Sequence, residues 1–249
     1  MLKRFFVDAS IEPNQPCVIT GSEARHILKV LRMGPGDRLV IMDGRGARFQ
    51  AVIQSATHQD VTVIPEGPLP QSSPSPVEII LCQALLKSGP MDYLVQKTSE
   101  LGVDAIIPFT SQRTIIRIEK FRSVNRLRHW SEISRNAAKQ SGRAVPARIV
   151  APSSLEELTA QWKSEEGLKA MLWEGEGQRD IKTLLRDPAR TEKFIGLIGP
   201  EGGFAGEEVE MAKDAGFVPV SLGNRILRSE TAAITVVAIV QYEWGDLCF

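Results

Sequence analysis

The chain has 249 residues, 43% hydrophobic and 24% charged, enough for one large or two modest globular domains. Its three cysteines, Cys17, Cys82 and Cys248, are far apart, with no CxxC and no histidine at metal spacing, which argues against a disulfide framework or zinc site. Thirty basic and thirty acidic side chains cancel overall but are segregated: residues 113–148 carry +8 and residues 149–249 carry −7, so one stretch is suited to phosphates and another is not.

In chain order, MLKRFFVDASIEP turns to charge and proline before an apolar stretch of signal-peptide length. The longest largely apolar run, Ala232 to Val240, is nine residues. About 20 are needed to span a bilayer, so the expectation is a cytoplasmic protein with no membrane partner. A helix is predicted from Ser22 to Met33, with Ser22 as N-cap and Gly34 past its end. Short strands follow at Asp37 to Asp43, Ala47 to Gln54 and Val61 to Pro65, the first two joined by the turn Asp43-Gly-Arg-Gly46. These elements describe a small β-rich barrel over residues 1–70. Pro68 to Pro76 holds four prolines and three serines in nine residues and reads as a linker, taken as 71–76.

From residue 77 to 249 strands alternate with helices. The pattern runs Glu78 to Leu85, helix Pro90 to Leu101, Asp104 to Phe109, helix Phe121 to Ser141, Ala147 to Val150, and helix Ser153 to Trp162. It continues with Leu168 to Trp173, Phe194 to Ile198, helix Gly206 to Ala215, Val218 to Leu222, and helix Ser229 to Trp244. Such alternation predicts an α/β domain with a mostly parallel sheet covered by helices. Ser153 with Glu156 forms a capping box in this reading, and Gly102 closes a helix. In the helix 121–141, Val124, Leu127, Trp130, Ile133 and Ala137 make one apolar stripe, while Arg128, Arg135 and Lys139 fall on another, followed by Arg143. With Arg113, and with Arg25, Lys29, Arg32 and Arg45 in the first domain, these are the candidate phosphate contacts; a solvated basic face is the plain alternative. His26, His58 and His129 show no partner pattern.

Ligands in open α/β sheets bind at the carboxyl ends of strands, which directs attention to two late loops. Leu197-Ile-Gly-Pro-Glu-Gly-Gly-Phe204 places three glycines between a strand and a helix, where backbone approaches a ligand without an intervening Cβ. It is neither a Walker loop nor a GxGxxG fingerprint. Leu222-Gly-Asn-Arg-Ile-Leu-Arg-Ser-Glu-Thr-Ala-Ala-Ile234 enters an apolar helix, with Ser229 as plausible N-cap and Glu230 in the first turn.

Taken together, GPEGGF and LGxRILRxETA resemble the signature of SPOUT-class methyltransferases of the RsmE family, which modify N3 of a uridine in 16S ribosomal RNA. The resemblance extends to Arg25-His-Ile-Leu-Lys-Val-Leu-Arg-Met33, to Gln96-Lys-Thr-Ser-Glu-Leu-Gly102 with Pro108 and Arg113, and to Ala137-Ala-Lys-Gln-Ser-Gly-Arg143. Two positions depart from it: Lys139 stands where the family usually has Glu, and Asn224 where Pro is frequent.

The resemblance implies a PUA-like RNA-binding domain followed by a SPOUT domain with a C-terminal trefoil knot, a homodimer that completes the site, and 16S ribosomal RNA, within the small subunit, as partner. It implies S-adenosylmethionine as cofactor, held by three stretches: Leu172, Trp173 and Glu174; Ile198, Gly199, Pro200, Glu201, Gly202 and Gly203; and Leu222, Gly223, Asn224, Ile226 and Leu227, with Thr231 and Ala232 beyond. Uridine N3 must lose a proton before it attacks, so a base or a group that stabilises charge on the flanking carbonyls is needed. Arg228 suits the second task, and Glu230 or Glu201 the first; no metal is required. The alternatives are a related SPOUT enzyme acting on a ribose 2′-hydroxyl or on tRNA, and a non-catalytic ribosome-assembly protein.

Overall fold

The structure is a computed structural model that describes residues 2–70, 75–116, 120–175, 179–186 and 191–247. Cys248, Glu119 of the basic stretch and residues 71–74 of the predicted linker lie outside them. The chain divides into two compact units, Met1–Ser73 with Ala138–Pro146, and Pro74–Ala137 with Ala147–Phe249.

The first unit contains β1 (Arg4–Phe6), β2 (Cys17–Ile19), α1 (Gly21–Arg25), β3 (Arg38–Met42), β4 (Arg48–Ala56) and β5 (Val61–Pro68). Its sheet has the order β1-β3-β4-β5-β2; β1 runs parallel to β3 and the other pairs are antiparallel. The expected barrel is thus an open half-barrel, bent by irregularities in β4 at Gln50/Ala51 and Ile53/Ser55. Phe49, Ala51 and Ile53 on β4 and Val61 and Val63 on β5 alternate into the core, where they meet Phe5, Leu39, Ile41 and Ile27. Each Val, Leu, Ile or Phe among them contributes about 1.5–3 kcal/mol on burial.

The predicted helix 22–33 is shorter and less regular than its periodicity suggests. Gly21 turns the chain into α1 at φ +65°, so Ser22 lies within the helix rather than at its cap. His26–Val30 then form a π-helical turn, in which the Leu31 N–H donates to the His26 carbonyl, five residues back, at 3.0 Å. Arg32 leaves the helix in the left-handed region, φ +55°.

Residues 138–146 belong to this unit, which a cut at residue 70 does not anticipate. Arg4 on β1 donates to the carbonyls of Lys139 (3.0 Å) and Gln140 (3.3 Å), and Arg48 on β4 to that of Gly142 (3.2 Å). Ala138 packs with Phe6, Val40 and Met42. Side chains distant in sequence satisfy carbonyls that the helix end leaves open.

The second unit contains β6 (Glu78–Ala84), α2 (Ser88–Glu100), β7 (Ala105–Thr110), α3 (Lys120–Ser141, to Ala137 in this unit), β8 (Arg148–Ile149), β9 (Ser153–Ser154) and α4 (Leu155–Trp162). After these come β10 (Leu168–Leu172), α5 (Ile181–Leu185), β11 (Lys193–Ile198), α6 (Gly206–Asp214), β12 (Val218–Val220) and α7 (Ser229–Glu243). The sheet is parallel, in the order β12-β10-β11-β6-β7-β8 with β9 beside β7. Ile79 and Leu81 of β6 face α2, α3 and α7, whereas Ile80, Cys82 and Ala84 face α4 and α6. Burial on both faces explains why this strand reads as a continuous apolar run.

Several local expectations shift. The capping box is Ser154 with Glu157, one residue later than predicted, the Ser154 hydroxyl accepting the Glu157 N–H at 3.2 Å. Gly102, at φ +101°, closes α2 as expected. On α3, Trp130 and Ala137 are buried, but Val124 is 66% exposed, and Ser134, absent from the predicted stripe, is buried and donates to the Ala147 carbonyl (2.8 Å). Arg228, not Ser229, is the N-cap residue of α7.

Candidate active site

The parallel strands β12, β10 and β11 are neighbours, so the loops leaving their carboxyl ends converge. They enclose a cavity of about 730 Å³. The loop after β10 contributes Leu172, Trp173 and Glu174; the loop after β11 contributes Ile198, Gly199, Pro200, Glu201, Gly203 and Phe204; and the segment after β12 runs from Ser221 to Glu230, with Ala232 beyond.

Each piece has a local reason for its shape. The Gly203 N–H donates to the Pro200 carbonyl at 2.9 Å, closing a tight turn in which Gly203 takes φ +69°. A Cβ on Gly199 would lie 3.1 Å from the Phe204 ring, which stacks on Phe109. The Glu208 carboxylate, 3% exposed, accepts the N–H groups of Gln112 and Ala205, both at 2.8 Å, joining the loop after β7 to the start of α6. Arg113 Nη1 donates to the Gly202 carbonyl at 2.9 Å.

All sixteen predicted cofactor positions except Gly202 and Thr231 line this cavity. Gly202 turns instead toward Arg113, whose Cβ would be 3.3 Å from a Cβ there. Pro90, Phe204, Val220, Ser221 and Ser229 line it without having been anticipated. Pro90 follows a strand end and was open to the same carboxyl-end argument; Phe204 and Ser229 adjoin the two loops but carry no residue-type signal for a ligand.

The walls are apolar where Leu172, Ile198, Val220, Leu222 and Leu227 stand; Glu174, Glu201, Arg225, Arg228 and Glu230 bring charge to the same space. The three predicted catalytic residues, Arg228, Glu230 and Glu201, therefore share one cavity. Glu230 sits in the first turn of α7, where the helix dipole favours its carboxylate, and Arg228 is exposed just before it.

Among the candidate RNA contacts, Arg25, Lys29, Arg32 and Arg45 are exposed in the first unit, and Arg113 and Arg128 in the second. Arg135 and Arg143 are half-buried. Lys139 Nζ lies 2.7 Å from Glu23, so its ammonium is already engaged. Among the described residues there is no cluster of His, Cys, Asp or Glu fit to hold a metal ion, and no helix is long and apolar enough to cross a membrane.

Residues 73–241 match the family model described as an RNA methyltransferase domain, and residues 19–66 one described as an RNA methyltransferase PUA domain. The ribosomal RNA small subunit methyltransferase E of Mycobacterium bovis is 30% identical over 240 residues, 95% of this chain and 90% of that protein. Its namesake from Bacillus subtilis is 26% identical over 97% of both chains. Among solved structures, a Legionella pneumophila methyltransferase in complex with S-adenosylmethionine superposes with a TM-score of 0.92 at 31% identity, covering 99% of this chain and all of that one. The S-adenosylmethionine-bound Neisseria gonorrhoeae ribosomal RNA small subunit methyltransferase E gives 0.89 at 28% identity, covering both chains completely. The half-barrel unit is accordingly the PUA-like domain and the helix-covered parallel sheet the SPOUT-type methyltransferase domain. The chain belongs to the ribosomal RNA small subunit methyltransferase E family.

Proposed function

We propose that this protein transfers the methyl group of S-adenosylmethionine to N3 of a uridine in 16S ribosomal RNA, with the small ribosomal subunit as substrate. The observation that carries this reading is the convergence of three glycine-bearing strand-end loops on one cavity that also holds Arg228, Glu230 and Glu201, in a chain of this family.

The cavity suits the cofactor. Its volume falls within the range of small-molecule sites, and its apolar walls and loop backbone match a neutral adenine, which is recognised by main-chain groups in an apolar slot. S-adenosylmethionine supplies an activated methyl group and its own leaving group, so the protein's task is placement and proton handling. Arg228 holds negative charge on a uracil carbonyl as the N3 proton departs, and Glu230 or Glu201 accepts that proton. Exposed arginines and lysines of both units meet phosphates and set the register of the RNA.

Two further parts belong to this reading. The outer side of α7 presents Ile234, Thr235, Ala238 and Tyr242, the last 61% exposed, as the face for an isologous homodimer. A ribosomal RNA substrate places the protein in the cytoplasm.

Small subunits from cells lacking the protein provide the test. Incubated with protein and S-adenosylmethionine, their 16S ribosomal RNA gains one 3-methyluridine by nucleoside mass spectrometry. A 2′-O-methylated nucleoside, a tRNA product, or no product with an intact binding isotherm for the cofactor would each replace this reading.

A further inference from the structure

The structure contains a buried hydrogen-bond chain that joins three elements far apart in sequence, and it ends on the glycine loop. Gln83, near the end of β6, is fully buried and its Nε2 donates to the Ala84 carbonyl at 2.9 Å and to Ser229 Oγ at 3.0 Å. Ser229, 8% exposed in the first turn of α7, donates its hydroxyl to the Gly199 carbonyl at 2.6 Å.

The direction of this chain is forced. A main-chain carbonyl only accepts, so Ala84 decides which end of the Gln83 side chain is the nitrogen, and Gly199 decides where the Ser229 proton points. The Ser229 oxygen then has lone pairs left for the amide N–H. Gln83 Oε1, by contrast, is buried without a partner. An unpaired buried acceptor lowers stability, so an apolar side chain of this shape would serve the core better than glutamine does. The amide is therefore best explained by what its nitrogen holds.

What it holds is the entrance to the site. Gly199 opens the Gly199–Gly203 loop and lines the cavity, as does Ser229. With its carbonyl pinned, the Gly199–Pro200 peptide cannot rotate, and the backbone that the loop presents is set before a ligand arrives.

Resting on the cofactor reading above, we propose that Gln83 and Ser229 are positioning residues that preorganise the glycine loop for S-adenosylmethionine through the Gly199 carbonyl. Neither is a catalytic residue; both act through the loop. Without the clamp the loop populates several conformations, and the cofactor binds only the fraction that is competent.

Ser229→Ala, Ser229→Thr and Gln83→Met are compared with the unaltered protein by calorimetry with S-adenosylmethionine alone and by steady-state methylation of small subunits. Ser229→Ala is expected to weaken cofactor binding by about tenfold or more and Gln83→Met by about three- to tenfold, the size of one lost or loosened buried hydrogen bond. The KM for the cofactor should rise in step while kcat at saturating cofactor changes less than about twofold, since the transition state itself is untouched. Ser229→Thr keeps the hydroxyl and should return affinity to within about threefold of the starting value.

Thermal unfolding without ligand separates this from a purely structural role, in which melting falls but Kd and KM stay put. Cofactor affinity within twofold of the unaltered protein in Ser229→Ala and Gln83→Met overturns the proposal. If Ser229→Ala does not fold, Gln83→Met alone decides. If the unaltered protein takes up no cofactor, the functional reading fails first and this inference with it.

Discussion

Lys139 Nζ and Glu23 Oε1 lie 2.7 Å apart, with both side chains only 14% exposed. The second Glu23 oxygen is buried without a partner, so the carboxylate depends on this one cation. Lys139→Met should strand that charge and lower the unfolding free energy by about 1–3 kcal/mol in chemical denaturation. Adding Glu23→Leu should recover most of the loss, and the salt dependence of RNA binding should not change. A salt slope that falls by about one in Lys139→Met would instead show a phosphate contact.

The two glycines of the loop should respond differently. Gly203 lines the cavity at φ +69°, a conformation a β-branched side chain resists, whereas Gly202 turns toward Arg113. Gly203→Val should cut S-adenosylmethionine affinity by more than about tenfold in calorimetry, and Gly202→Val by less. Equal losses would mean that the loop moves as one body.

Chemistry and RNA binding should separate kinetically. Arg228→Ala should lose most of its single-turnover rate at saturating small subunit while its cofactor affinity changes less than about twofold. Arg128→Ala should regain turnover when substrate is raised and flatten the salt slope by about one. Rescue of Arg228→Ala by more substrate would move the search for the chemical group to Glu230 or Glu201.

Lys169 is 7% exposed on β10, and its ammonium donates to the carbonyls of Trp162 and Ala215 at the ends of α4 and α6, the latter at 3.3 Å. A cation at two helix C-termini is favourable on both counts. Lys169→Met should destabilise the protein by about 1–3 kcal/mol in urea with cofactor affinity retained. No change in stability would mean that the two carbonyls find other donors.

Burial pushes the Cys82 thiol well above its ordinary value and that of Cys17 upward as well. Both should resist iodoacetamide at pH 8 in the native protein and react promptly in denaturant, as read by peptide mass spectrometry, because the thiolate is the reactive form. Rapid native labelling of Cys82 would show that the β6 region opens.

The sequence by itself determined the alternation of strand and helix after residue 77, since apolar runs buried on both faces and glycine-closed helices are local patterns. It also pointed to two of the three loops that line the cavity, because glycines and paired arginines at strand ends are visible as residue types. Only the tertiary structure decided that residues 138–146 join the first unit, through Arg4 and Arg48 more than 90 positions away in sequence. Only it showed that Ser229 clamps Gly199 rather than capping a helix, and that Gly202 faces Arg113 rather than the cavity. The physical reason is common to all three. A polar group pairs with whichever partner the fold brings within reach, and that choice is made by proximity in space, which neither periodicity nor residue type encodes.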